Sequence, residues 1–280
     1  MNKMNILNRV FSKSMIKELL SSGRSEIIDN AYEIYFGKDN TTNNKTKIES
    51  LYKIIEKHYR NEYLFKNIIF NKMLLGRHSL NTTSALTELW INNSKADFVM
   101  FNGKATVYEI KTVLDNLDRL DNQIRDYYKV FDFVEIIVDE VHLPKITERY
   151  IQSNVGISIL TKRNSISSIK KPMQSAQNFS YESLYKILRK QERKNILNCF
   201  YSELPSVTQF EEFERYYLLF KEIPLLEVQK MVLMELKRRG EKAKENKDYL
   251  LEIPYELKSL IYFCSFTPLQ YRQFQNSMKE

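Results

Sequence analysis

Residues 95–112 read KADFVMFNGKATVYEIKT. Two short apolar runs meet at Asn102-Gly103, a dipeptide that favours a tight reversal, so the stretch reads as a β-hairpin. It carries Asp97 near one end and Glu109 and Lys111 at the other, where a half-buried strand should place core side chains. Register decides whether they meet. A three-residue connection, Asn102-Gly103-Lys104 with glycine supplying the positive φ, pairs Phe101 with Ala105 and so sets Asp97 opposite Glu109. A two-residue turn pairs Asp97 with Tyr108 and sends the carboxylates to opposite faces.

In the first register two like charges lie side by side, which destabilises a sheet unless a cation sits between them or one is protonated. Oxygen-only ligands suit Mg²⁺ or Mn²⁺. Lys111, two residues beyond Glu109, falls on the same face, where an ammonium could orient a water or balance developing negative charge. The ordinary reading is that Asp97 ends a strand and that Glu109 and Lys111 form an exposed face with a weak ion pair.

Moving outward, Glu88 lies in SLNTTSALTELWI, which reads as a helix capped by Thr82, Thr83 or Ser84 and ending just before Asp97. Downstream, Asp115, Arg119, Gln123 and Tyr127 recur every four residues. They make a polar ridge on a helix whose other side carries Leu117, Leu120, Ile124, Tyr128 and Phe131. FVEIIVD and GISIL read as further strands, and LPKITERYIQ as a helix with Pro144 in its first turn. The fold class expected is α/β. Residues 1–79 form a helical N-terminal section, 80–160 an α/β core, 161–178 a polar linker and 179–280 a helical C-terminal section.

The 280 residues are 43% hydrophobic, enough for a packed core, and the formal charge of +8 favours polyanionic partners. Cys199 and Cys264 are isolated and the three histidines scattered, so no zinc-ligand spacing appears and a reducing cytoplasm is expected. No apolar run approaches the ~18 residues that span a bilayer. The basic runs Lys186 to Lys194 and Lys237 to Lys247 read first as solvated helix faces and second as a nucleic-acid groove.

Taken together, Glu88, Asp97, the EIK triplet Glu109-Ile110-Lys111, and Gln123 with Tyr127 resemble the motifs of the PD-(D/E)XK nuclease superfamily, in a RecB-like branch of mostly uncharacterised bacterial and phage proteins. The likeness covers about Glu88 to Val138, with Ala96 in place of the proline of the superfamily name and Lys95 where the branch has arginine. It implies a restriction-endonuclease-like core, a mixed sheet flanked by helices, and a metal-dependent nuclease acting on DNA in a phage or defence context. Asp97, Glu109, the carbonyl of Ile110 and Glu88 would hold Mg²⁺ or Mn²⁺, with Lys111 positioning water. Arg119, Gln123 and Tyr127 would contact the phosphate backbone of the substrate or orient the catalytic lysine. The C-terminal helices would select substrate, or offer a surface for a protein partner or self-association. The competing expectation is a non-catalytic nucleic-acid-binding or regulatory adaptor on the same fold.

Overall fold

Gly103 settles the register of the central hairpin. A computed structural model describes residues 3–39, 41–77, 80–241 and 247–280. In it Gly103 adopts φ +65°, and Phe101 pairs with Ala105, Met100 with Thr106 and Phe98 with Tyr108. This is the register of the odd-length connection. The glycine is needed because the left-handed conformation that closes this turn is costly for a residue with a Cβ.

The hairpin strands are β2 (Ser94–Asn102) and β3 (Lys104–Lys111). They belong to a six-stranded mixed sheet in sequential order, with β1 (Ser84–Ile91), β4 (Phe133–Val138), β5 (Gly156–Leu160) and β6 (Ile166–Lys170). The first three strands form an antiparallel meander, β3, β4 and β5 run parallel, and β6 returns antiparallel. Parallel neighbours need crossovers, supplied by α6 (Leu120–Tyr127) and α7 (Leu143–Tyr150). Pro144 lies in the first turn of α7, where its missing N–H costs no helical bond.

The chain divides into two compact units. One comprises Thr83–Lys111 and Asn116–Glu241, the other Met1–Thr82, Thr112–Asp115 and Lys242–Glu280. In the sheet unit the core is built from one face of the strands, through Val107, Val134, Ile136 and Ile157. These meet Leu120 and Ile124 of α6, Leu184 of α8 (Tyr181–Lys186), Ile196 of α9 (Lys190–Leu197), Phe220 of α10 (Glu212–Glu222) and Val232 of α11 (Leu225–Glu241). Helix α11 approaches β1 closely at Gly240, where a Cβ would stand 2.9 Å from the Ala85 carbonyl oxygen.

The helical unit contains α1 (Lys3–Val10), α2 (Lys13–Ser22), α3 (Glu26–Phe36), α4 (Asn44–His58) and α5 (Glu62–Ile69), which continues as a π-helix over Phe70–Arg77. Ser25, Asn43 and Asn61 cap α3, α4 and α5 by accepting backbone N–H groups, as short polar side chains do at helix starts. The C-terminal α12 (Lys247–Leu251), α13 (Lys258–Cys264) and α14 (Pro268–Ser277) fold onto these helices. The Asn44 side-chain amide, buried, donates to the Ser277 carbonyl at 2.7 Å.

Three expectations are corrected. The segment around Glu88 is not a helix but strand β1, paired with β2 from Ser84–Phe101 to Ile91–Ser94. The stretch 161–178 is not a free linker. It holds β6, and its backbone is tied down by Met173 donating to Asn154 and Ser175 to Asp132, both at 2.9 Å. The C-terminal section is not one body: α8 to α11 complete the sheet unit, while α12 to α14 belong with the N-terminal helices. No helix among the described residues is long and apolar enough to cross a membrane.

Candidate functional site

Register brings three carboxylates onto one rung. Continuing the β1–β2 ladder sets Glu88 opposite Asp97, and continuing the β2–β3 ladder sets Asp97 opposite Glu109. Side-by-side like charges are unfavourable, and the sheet responds by breaking its ladder there. Glu88 takes φ +55°, rare for a non-glycine residue, and neither carboxylate pair closes a backbone bridge. Each carboxylate then finds its own partner. Glu88 ion-pairs with Lys95, and Asp97 accepts the Ile110 N–H at 2.8 Å. Glu109 turns toward α6.

Glu109 is 1% exposed and sits on the same face as Val107, so it needs full compensation. Its Oε1 accepts from Lys111 Nζ and from Gln123 Nε2, both at 2.6 Å. Its Oε2 accepts from the Tyr127 hydroxyl at 2.6 Å. Lys111 Nζ also donates to Gln123 Oε1 at 3.0 Å, which closes a triangle and fixes which way the amide points. The Tyr127 oxygen lies 3.1 Å from the Lys95 carbonyl oxygen, linking the network to β2.

Burial pushes the Glu109 carboxyl above the usual carboxylate range, and the opposing pull of Lys111, Tyr127 and Gln123 only partly offsets it. Burial, and then the adjacent Glu109 carboxylate, raise the Tyr127 phenol strongly, so it remains a hydrogen-bond donor. A further anchor lies beside Tyr127, at the C-terminal end of α6. Asp126 accepts from Ser94 Oγ at 2.7 Å, Asn92 Nδ2 at 3.2 Å and Lys129 Nζ at 3.0 Å, clasping the β1–β2 turn. Burial opposes ionisation of Asp126, yet these donors outweigh it and hold its carboxyl below the usual range.

The cluster therefore unites Asp97, Glu109, Lys111, Gln123 and Tyr127. A divalent cation needs oxygen lone pairs aimed at open space. Both Glu109 oxygens are committed to donors inside the fold, Glu88 faces Lys95, and Ile110 meets Asp97 through its N–H rather than its carbonyl. Of the residues expected to hold Mg²⁺ or Mn²⁺, Glu88 and Asp97 each bring a carboxylate oxygen within 4.8 Å of the other, the spacing a shared cation needs. Arg119 does not join this network. It occupies the N-cap of α6 and is exposed, while Asp115 precedes the helix and accepts from the Thr112 N–H and hydroxyl, each at 2.7 Å. The four-residue ridge thus contributes only Gln123 and Tyr127.

Sequence reading missed Lys95 as the partner of Glu88 and Asp126 as the clasp of the β1–β2 turn. Pairing of β1 with β2 is the signal that would have shown both, since Trp90 opposes Lys95 and Ile91 opposes Ser94. The basic run Lys186 to Lys194 is also accounted for. Lys186 pairs with Glu182, Lys190 and Lys194 share Glu212, and the Arg193 guanidinium lies 4.7 Å from the ring centres of both Tyr185 and Phe213. Its use as a nucleic-acid groove is not supported. In the second run Arg238 pairs with Glu235 and Arg239 with Glu192, and residues 242–246 lie outside the described residues.

Comparison with known proteins gives a different answer from the motif resemblance. Protein cII of Enterobacteria phage P4 is 25% identical over 169 residues, covering 57% of this chain and 61% of that protein. The chain thus spans about three fifths of the length of the curated relative it matches. No solved structure matches it. The family model described as "Bacteriophage P4 protein cII" matches residues 55–256, a span that contains the whole sheet and its network. That match overturns the assignment to the PD-(D/E)XK superfamily and the metal-dependent nuclease activity drawn from it. The chain belongs to the bacteriophage P4 protein cII family.

Proposed function

We propose that this chain is a non-catalytic, nucleic-acid-binding adaptor of phage origin, in which the sheet is a scaffold and its carboxylate–lysine cluster a structural device. The observation that carries the proposal is the engagement of Glu109: a buried carboxylate whose two oxygens both accept hydrogen bonds, from Lys111, Gln123 and Tyr127, is used by the fold to hold α6 to the sheet. The formal charge of +8 supplies the attraction to a polyanion. The relatedness to a phage protein supports the biological setting.

The test is fluorescence anisotropy with a labelled DNA duplex across a salt series, with and without a chelator. Binding is expected to weaken linearly in log–log form as salt rises, to be unchanged by the chelator and to leave the strands intact. Absence of binding at low salt would sink the reading, as would strand scission dependent on Glu109.

A further inference from the structure

The helical unit holds a pocket of about 370 Å³, in the size range of small-ligand sites, which begins near about 300 Å³. Every residue that lines it belongs to that unit. Hydrogen bonds running from the start of α5 fix the polarity of one group of lining residues. The Leu64 N–H caps the helix on Asn61 Oδ1, so the Asn61 amide nitrogen is the donor to Asn8 Oδ1, at 2.8 Å. Asn8 then presents its own amide nitrogen to the Tyr59 hydroxyl oxygen, at 3.1 Å. The Tyr59 oxygen is thereby an acceptor. Its O–H donates to no described residue and is left for an occupant of the pocket.

Asp115 supplies the opposite polarity. Its Oδ2 accepts the Thr112 N–H and hydroxyl, while its Oδ1 accepts from no described residue. The rest of the lining is aromatic, apolar or neutralised. Phe11 and Tyr63 stack with ring centres 4.8 Å apart, and the Tyr63 hydroxyl is committed to the Glu256 carbonyl at 2.6 Å, so both contribute ring surface. Leu114 adds exposed apolar surface, and the Lys66 ammonium pairs with Glu62 at 2.5 Å.

One donor, one acceptor and an aromatic pair select the chemistry of the occupant. An ammonium or guanidinium carries donors alone and would leave the Tyr59 O–H without an acceptor. A phosphate or carboxylate carries acceptors alone and would be repelled by Asp115. A nucleobase is planar and carries N–H donors and acceptors along its edge. We infer that this pocket binds a nucleobase, with Tyr59 donating to a ring nitrogen or carbonyl, Asp115 accepting an N–H, and Phe11 and Tyr63 supplying the aromatic surface. The site is independent of duplex binding, in which bases stay paired and phosphates carry the attraction. The base comes either from a free nucleoside or from an unpaired strand.

The experiment is calorimetric titration of the full chain with adenosine, guanosine, cytidine and uridine, with a short single-stranded oligonucleotide, with arginine amide, and with caffeine, a purine that has no N–H. At least one nucleoside should bind, and caffeine should bind on the order of tenfold more weakly. Tyr59→Phe keeps the ring and removes the donor, for a loss of about fivefold. Asp115→Asn keeps an acceptor for Thr112 but turns a donor toward the base, for a loss on the order of tenfold. An oligonucleotide that binds no tighter than the nucleoside assigns a free base, and one that binds tighter and loses that gain in Tyr59→Phe assigns an unpaired strand. The inference is overturned if no nucleoside binds the parent, if caffeine binds as tightly as the nucleosides, or if both variants fold and bind like the parent. Binding of arginine amide in place of nucleosides also overturns it and makes the pocket a seat for a basic protein segment. The comparison of nucleosides with caffeine uses the parent chain alone and so decides the matter even where a variant fails to fold.

Discussion

The two ends of β3 handle charge in opposite ways. At the C-terminal end Glu109 and Lys111 are buried, and every polar atom of the carboxylate is engaged by Lys111, Gln123 or Tyr127. At the N-terminal end Lys104 is exposed, has no carboxylate partner among the described residues and borders an acid-free cleft. One end consumes its charge in holding α6 to the sheet. The other leaves it free to act on something outside. Charge that is buried and paired reports on folding, whereas charge that is exposed and uncancelled reports on partners. A motif scan sees residue types and cannot tell these apart.

The largest expected effect follows from breaking the closed end. Lys111→Ala would leave Glu109 buried without its cation, a change that costs about 3–5 kcal/mol, because the remaining charge is uncompensated. Chemical denaturation should show that loss, and the double variant Glu109→Leu/Lys111→Met should recover most of it by removing both charges. If Lys111→Ala unfolds like the parent, the network is not structural and the comparison collapses. The defect should also depend on pH. The Glu109 carboxyl lies above its usual range in the fold, so the stability linked to its proton is present below the unfolded value and is lost as pH rises through the folded value. Removing Lys111 takes away the main influence holding that carboxyl down. The penalty should therefore shrink as the pH is lowered from neutral toward about 5, near the ordinary glutamate range. A penalty that grows on acidification would contradict the sign.

Tyr127→Phe is a milder probe of the same end. It deletes one hydrogen bond to a charged acceptor and keeps the ring in the core, for an expected loss of about 1.5–3 kcal/mol. DNA binding should not change. A variant that folds as stably as the parent but binds DNA poorly would make Tyr127 a contact residue, as the motif resemblance implied.

Much of this architecture is legible in the sequence where the apolar period is clean. DFVMF, ATVYEIKT, FVEIIVD and GISIL are strands, and Pro144 opens a helix. β1 is hidden for a physical reason. Glu88 sits in the left-handed region mid-strand and resets the alternation, so Ala85, Leu86, Leu89 and Trp90 imitate the four-residue spacing of a helix. β6 is hidden because an edge strand reading ISSIK, largely exposed, carries no apolar alternation to detect. The site shows the same divide. That Glu109, Lys111, Gln123 and Tyr127 belong together is readable from the hairpin and from the four-residue spacing on α6. That they saturate one another is not, because it depends on the depth to which α8 to α11 bury that face.

The smallest expected effect asks whether pairing or position silences the basic run on α9. Glu212 takes both Lys190, at 3.0 Å, and Lys194, at 3.3 Å. Glu212→Gln keeps the shape of the side chain and removes its charge, so both ammonium groups become available while the fold changes little. If pairing is what withholds them, duplex binding should gain salt dependence, with a slope steeper by about 1–2, because a released lysine can displace a condensed counterion. If the slope stays at the parent value, these lysines lie outside the footprint whatever their partner, and position is the deciding factor.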